Sequence, residues 1–315
     1  MAKVEKLPLD QAWKNWDACL NGDDPNSIFQ QITIMIWDTS IFRIILAARQ
    51  SQLRKNPQEP EINDALHSFI DRNYFQTQSI MIRRITDTSH NLTGKHGVYS
   101  LRALIKDIES YKTELTRKSY LELKNMPYNY EEIRRKEEEY SLSQILAGKD
   151  LWIIPPELDW ERIEEAHKTF DKLSGKSPTT RQADDVINER VLVRLQDKLD
   201  TCKKIKMYVD KFIAHSSTPE SRSIQNYTAT KITLRQLWEA HRVIFEVAYF
   251  LSANLFSVDR LALAIENPTF FKFWDKPLIE NGEFDLIKNS FEKYRKETEA
   301  WQFDGFEDIW RAIEV

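Results

Sequence analysis

Glycine and cysteine are scarce in this chain of 315 residues, which contains 7 Gly and 2 Cys. Few glycines leave few tight turns, and the charged residues, 30% of the chain, include many good helix formers. The two cysteines, Cys19 and Cys202, lie too far apart for a zinc-binding pattern and form no disulfide framework. The composition therefore predicts an all-α protein of a reducing compartment.

A strong charge of one sign is also lacking, because 45 basic and 49 acidic residues give a formal net charge of -4. Any contact with RNA or DNA must then be made by a local patch, since no global basic field attracts phosphate. Residues 1–10 carry charges and a proline instead of an apolar signal core. The apolar runs are shorter than the ~20 residues that span a bilayer. We therefore predict a cytoplasmic protein that makes no contact with a membrane.

Apolar residues recur at steps of three and four positions, which is typical of amphipathic helices. Capping residues, prolines and glycines divide this pattern into segments. The spacing predicts helices over residues 27–53, 62–86, 100–115, 159–173, 181–214 and 233–256. The Glu, Arg and Lys residues within 131–139 indicate a solvated helix face with salt-bridge pairs.

The character of the chain changes after Ser257, where large aromatic residues lie among prolines and glycines. The aromatic residues are Phe270, Phe271, Phe273, Trp274, Trp301, Phe303, Phe306 and Trp310. We predict a helical bundle domain over residues 1–257 and a C-terminal extension of short helices over 258–315. Interleaved acidic residues repel phosphate, so a small satellite core is favoured over RNA stacking. If this region is exposed, it favours a protein partner.

One histidine, His215, ends the predicted helix 181–214, at the point where residues 216–219 (Ser-Ser-Thr-Pro) signal a loop. A helix C-terminus stabilises the imidazolium form by up to about 1 kcal/mol. The ring is therefore expected to titrate near neutral pH and to suit proton transfer.

Three short segments carry a resemblance to a known superfamily. Residues 209–215 (Val-Asp-Lys-Phe-Ile-Ala-His) resemble the HEPN signature, in which an arginine, a polar residue and a short apolar spacer precede a histidine on a late helix. Residues 82–87 (Ile-Arg-Arg-Ile-Thr-Asp) and 99–105 (Tyr-Ser-Leu-Arg-Ala-Leu-Ile) resemble the HEPN-like branch linked to abortive infection and phage defence. The resemblance covers roughly residues 25–255 and implies an HEPN-like helical bundle.

The resemblance also implies an activity, which is metal-independent RNA cleavage at a site formed between two protomers. His215 would transfer a proton as the ribose 2′-hydroxyl attacks the neighbouring phosphate, and an arginine would hold the charge on the phosphate oxygens. Asp210 matches the polar residue of the signature, but Val209 stands where the arginine belongs.

Other cations would have to replace that arginine. Lys211 and Lys204 lie one and three turns before His215 on similar helical faces, and Arg83 and Arg84 are further candidates for phosphate binding. Lysine attracts an anion but lacks the planar fork that orients it. The sequence does not decide which of these cations would approach the histidine.

Two functions therefore remain open. The first is an endoribonuclease of a bacterial defence system, of abortive-infection or toxin–antitoxin type, with His215, Asp210 and Lys211 as catalytic residues. The second is a non-catalytic HEPN-like subunit that binds a protein or nucleic acid partner.

Neither a metal nor a cofactor is predicted. His90 and His96 are six positions apart across a glycine-containing loop, with no carboxylate or cysteine at ligand spacing. Residues 94–97 lack the remaining pattern of a phosphate loop. Arg84 and Asp87, three positions apart on one helix, are predicted to form a structural ion pair.

Overall fold

The computed structural model describes residues 6–58, 64–88, 91–94, 97–148, 155, 159–214, 232–259, 270, 272, 284–304, 306–311 and 313. Over these ranges the backbone is mainly helical and contains no strand, apart from a single bridge between Thr116 and Val186. The predicted all-α fold is confirmed.

Twelve α-helices lie within the described ranges. They are α1 (Leu9–Asn21), α2 (Ile28–Lys55), α3 (Asp64–Ile85), α4 (Leu101–Ser110), α5 (Arg117–Leu123), α6 (Glu131–Leu146), α7 (Trp160–Ser174), α8 (Glu189–Asp200), α9 (Lys203–Tyr208), α10 (Leu234–Leu251), α11 (Phe284–Asp304) and α12 (Glu307–Arg311). A 3-10 turn covers Pro178–Thr180, and π-helical segments extend α9 over Val209–Ile213 and α10 over Ser252–Phe256.

Local signals in the sequence account for several helix ends. The Asp159 carboxylate accepts a hydrogen bond from the backbone N–H of Arg162 and caps α7. Gly175 ends the same helix at a φ of 71°, where a side chain would be strained and would also meet Ile313. Thr233 and Gln236 form a capping box at the start of α10. These helices therefore begin or end where the sequence predicts.

The chain folds into two compact units, residues 1–15 with 106–194 and 308–315, and residues 16–105 with 195–307. In the second unit, α2 packs against α3, α10 and α11. This division differs from the boundary predicted after residue 257, because α11 packs against α2 from the first third of the chain and against α10. A separate C-terminal domain stays a prediction.

Helix α2 is the central helix of the second unit. It is the one described helix that is long and apolar enough to cross a membrane by length and composition, with a mean hydropathy of 1.4 in its most apolar window. The sequence pattern underestimates the length of the apolar segment in α2. Thr39 and Ser40 interrupt the run of apolar residues but do not break the helix. Both hydroxyls donate to the backbone one turn back, at Met35 and Ile36. Half of the window is buried in the protein, as expected for a core helix.

The aromatic residues of α11 belong to this same core. Phe291, Tyr294 and Trp301 are at most 4% exposed. The guanidinium carbon of Arg43 lies 4.0 Å from the ring centre of Trp238 and 4.1 Å from that of Tyr294. Of the eight aromatic residues predicted to form a satellite core, Trp301 is thus buried, and it belongs to the core of the second unit. The side chains of Phe271, Phe273, Trp274 and Phe303 lie outside the described residues.

In the first unit, a fully buried arginine joins two helices and a loop. Arg117 lies 2.9 Å from both Asp171 and Asp185, and it donates to the backbone oxygen of His167 at 3.1 Å. Arg181 holds Asp171 as well, at 2.7 Å. A buried charge needs this degree of pairing to offset its loss of hydration.

Helix α6 has the solvated character that its sequence predicts. None of its residues is buried. Ion pairs four positions apart join Arg134 to Glu138 and Lys136 to Glu132 on its surface. Such exposed pairs contribute little to stability.

Candidate functional site at the ends of α3 and α9

Residues 209–214 of the segment that resembles the HEPN signature do not end one continuous helix, so the predicted helix over residues 181–214 is wrong in its extent. Helix α8 begins only at Glu189, and the chain turns at Thr201 and Cys202 before α9 resumes. Neither glycine nor proline marks these breaks, and the apolar spacing continues across them. The sequence pattern therefore hides the interruption.

The last described turn before His215 is π-helical. The backbone N–H of Ala214 donates to the oxygen of Val209 at 2.8 Å, a five-residue step instead of the usual four. Short π-helical turns of this kind are rare and occur frequently at functional sites. His215 itself lies outside the described residues, as do His90 and His96.

Val209, at the position of the signature arginine, belongs to the core. Its exposure is 1%. On the other side of the turn, Phe212 is 38% exposed and its ring stacks on that of Tyr208, with 5.2 Å between the ring centres. An arginine at position 209 would therefore point into the core in this conformation.

An arginine from another helix lies at the signature instead. Nε of Arg83, near the end of α3, is 2.5 Å from Oδ1 of Asp210. Nζ of Lys206 donates to the other oxygen of Asp210 at 3.0 Å, and Nη1 of Arg83 lies 3.9 Å from Asp87. Two cations and two carboxylates therefore form one cluster, which we call the Arg83–Asp210 cluster.

The cluster controls the charge of Asp210. Its partial burial alone would raise its pKa, but the hydrogen bonds and charges of Arg83 and Lys206 outweigh burial and hold the pKa below its ordinary value. Asp210 is therefore ionised at neutral pH. A carboxylate in this state orients the guanidinium and cannot donate a proton.

The other segments of the resemblance meet the signature segment in the same unit. Ser100 donates to the backbone oxygen of Asp87 at 2.9 Å and caps α4 through the N–H of Ala103. Arg102 donates to Asp200 on α8 at 2.5 Å and to Gln196 at 3.0 Å. Each of the two earlier segments therefore supplies an arginine that holds a carboxylate on α8 or in the π-helical turn.

The remaining predicted residues fall in different places. Arg84 donates to Asn26 at 2.9 Å, and it is Arg83 that approaches Asp87, so the predicted Arg84–Asp87 pair is wrong by one position. The side chains of consecutive helical residues point in directions about 100° apart, which explains the exchange. Lys211 is half-buried within the π-helical turn. Lys204 is exposed and lines a cleft against α10, away from the Arg83–Asp210 contacts.

Two residues of this region are absent from the sequence-based predictions. Lys206 lies four positions before Asp210, and this spacing is a recognisable signal for a helical ion pair. Arg102 lies within residues 99–105, one of the three segments that resemble the HEPN superfamily. No signal in the neighbouring sequence predicts its contact with α8, which is more than ninety positions away.

The described residues offer no arrangement of three or more His, Cys, Asp or Glu side chains that could hold a metal ion. Cys19 and Cys202 are buried, and neither forms a disulfide. Burial raises the pKa of the Cys202 thiol to about 11. Cys202 therefore lacks the low pKa of a reactive thiolate.

No protein-family model matches the chain, and no curated protein or solved structure matches it.

Proposed function

We propose that this chain is an HEPN-like, metal-independent endoribonuclease of a bacterial defence system, of abortive-infection or toxin–antitoxin type, acting in the cytoplasm as a homodimer. The observation that supports this most directly is the contact of Arg83 with Asp210. It brings a guanidinium to the signature segment although Val209 occupies the position of the signature arginine.

The geometry of Arg83 suits phosphate binding. Asp210 takes the Nε–H, while Nη1 lies 3.9 Å from Asp87, which is beyond hydrogen-bond distance. The terminal N–H groups of the guanidinium can therefore still donate hydrogen bonds to phosphate oxygens. The side chain is 28% exposed, so a ligand can reach it.

In the proposed reaction, His215 accepts the proton of the ribose 2′-hydroxyl as its oxygen attacks phosphorus. The P–O5′ bond breaks, O5′ leaves and takes a proton from water, and a 2′,3′-cyclic phosphate remains, while the proton on His215 passes to solvent. Arg83 and Lys211 hold the negative charge on the phosphate oxygens. Asp210 orients Arg83 and is a positioning residue in this scheme.

The test is incubation of the purified protein with total tRNA and mRNA in EDTA, with the ends of the fragments mapped. We expect His215→Ala and Arg83→Ala to abolish cleavage, and Arg83→Lys to restore only part of it, because lysine attracts the phosphate without orienting it. Arg72→Ala is the matched control, since it removes one exposed arginine from the same helix. Loss of cleavage in the control, or full cleavage by Arg83→Ala, contradicts the proposal.

A second candidate is a non-catalytic HEPN-like subunit that binds RNA or a protein partner. The burial of Val209 favours it, because the signature arginine is missing at a position that faces the core. If the wild-type protein cleaves no RNA but binds it in a filter-binding assay, this second candidate replaces the first. Light scattering on the same sample tests the proposed dimer.

A further inference from the structure

A cleft of about 320 Å³ lies between α9 and α10 in the second unit. Its floor is formed by the apolar side chains of Ile205, Ala240 and Val243, which are at most 9% exposed. Lys204, Arg235 and Arg242 line it with positive charge, and Thr201, Gln236 and Glu239 are its polar lining residues. The volume is near the lower end of the range for small-molecule sites, roughly 300–1,000 Å³.

The cations of this cleft are only loosely paired. Arg235 lies 3.9 Å from Glu239, and Arg242 lies 4.0 Å from the same carboxylate and 3.6 Å from Glu246. These separations exceed the roughly 2.7–2.9 Å of a direct charge-assisted hydrogen bond. Glu246 is already bonded to Lys198 at 2.7 Å.

Lys204 is exposed and lines the cleft as its third cation. The lining therefore carries three cations against one carboxylate. In the Arg83–Asp210 cluster, by contrast, the charges balance. The cleft is accordingly the better-suited of the two places for an anion that brings its own negative charge.

We propose that this cleft binds an organic phosphate with a compact planar or apolar body, of the size of a nucleoside monophosphate. The two guanidinium groups and Lys204 hold the phosphate, since guanidinium forks match phosphate geometry. The body lies on the floor formed by Ile205, Ala240 and Val243 and displaces water from it. Nothing in this site requires the chain to cleave RNA.

The same chemistry has two sources, a free nucleotide and one unit of single-stranded RNA. A second cleft of about 270 Å³ lies on the other flank of α10, and Arg235, Glu239 and Arg242 line both. Trp238 and Trp301 form part of its wall. A strand that crosses this ridge of α10 would place one base against an indole ring.

Calorimetric titration of the full chain tests the proposal. The probes are AMP, ribose 5-phosphate, inorganic phosphate and a short single-stranded oligoadenylate. We expect AMP or the oligoadenylate to bind saturably, and at least about tenfold more tightly than inorganic phosphate, because only they use the apolar floor as well as the cations. Ribose 5-phosphate separates the contribution of the base from that of the sugar.

The decisive variant carries both Arg235→Ala and Arg242→Ala. Lys204→Ala is measured next, as a separate variant. Arg135→Ala on α6 is the matched control, because Arg135 forms a similarly loose, exposed pair 3.8 Å from Glu139. We expect binding at least about tenfold weaker in the double variant and unchanged in the control. Circular dichroism and the melting temperature confirm that each variant is folded.

Each outcome decides a point. Binding of AMP that the double variant loses supports a free nucleotide, and binding of the oligoadenylate alone, with the same loss, supports RNA as the source. Equal weak binding of all phosphates, or binding that the substitutions leave unchanged, overturns the proposal. The RNA cleavage assay is scored separately with His215→Ala, so failure of one proposal is distinguishable from failure of the other.

Discussion

Asp210 accepts a hydrogen bond from Arg83 although 127 positions of sequence separate the two residues. The contact joins the end of α3 to the π-helical turn before His215. Lys206 completes the pairing from the turn of α9 that precedes Asp210. The carboxylate therefore fixes the position of a guanidinium that the signature segment itself does not supply.

This contact predicts a pH dependence of stability. The pKa of Asp210 in the folded protein lies below the unfolded value of 3.8, so the pairing stabilises the fold fully above pH 3.8 and is lost as the pH falls through the lower folded pKa. Asp210→Asn removes the charge and keeps the shape. We expect it to be less stable than the wild type at neutral pH, with a difference that shrinks at acid pH. Urea unfolding at a series of pH values measures this.

Glu138→Gln is the control for that series. Glu138 forms an exposed pair with Arg134 on α6, so its replacement is expected to change the free energy of unfolding by less than about 0.5 kcal/mol at every pH. If the free energies of unfolding of the wild type and of Asp210→Asn differ by the same amount at neutral and at acid pH, the ion pair does not explain the effect of the substitution.

An arginine at position 209, where the resemblance would place one, is expected to destabilise the fold. Val209 is 1% exposed, so Val209→Arg would bury a charged group without an ionised partner of its own. We expect the free energy of unfolding to fall by roughly 3 kcal/mol or more. Val209→Ile, which stays apolar, should cost less than about 1.5 kcal/mol. Chemical unfolding of both variants is the measurement, and a fully stable Val209→Arg that gains RNA cleavage would show that position 209 faces a site.

The limits of the sequence pattern are visible in these same residues. Helices α2, α7 and α10 follow from apolar spacing and from caps such as Asp159 and Thr233, because these signals are local. The break at Thr201 has no local signal. The partner of Arg83 depends on which helical face α3 presents to α9, and that is settled by packing across the whole unit. For this reason Arg83 and Arg84 are equal candidates in the sequence, whereas the structure distinguishes them.

The pairing of Arg43 is expected to hold α2, α10 and α11 together. Its guanidinium lies between Trp238 and Tyr294, and Nη1 donates to Glu297 at 2.8 Å. Arg43→Ala removes both ring contacts and the ion pair with Glu297, whose side chain is 41% exposed, so we expect a loss of about 2 kcal/mol in the free energy of unfolding. Thermal and urea unfolding, followed by tryptophan fluorescence, measure this loss.

Two further variants separate charge from packing at this site. Arg43→Met keeps most of the side-chain volume and should lose less stability than Arg43→Ala. Arg54→Ala, near the exposed end of the same helix, should stay within about 0.5 kcal/mol of the wild type. If Arg43→Ala and Arg54→Ala lower the free energy of unfolding equally, the packing of Arg43 between the two rings does not contribute to stability.

The two thiols report on the opening of the second unit. Cys19 and Cys202 are at most 1% exposed, and burial raises the pKa of Cys202 to about 11, so its thiolate is scarce at pH 8. We expect a thiol reagent to label neither residue in the native protein and both in urea, because only unfolding exposes them. Single variants Cys19→Ala and Cys202→Ala identify which thiol reacts. Rapid labelling of Cys202 in the native state would show that the turn between α8 and α9 opens readily, and the Arg83–Asp210 cluster would then be held less firmly than its contacts imply.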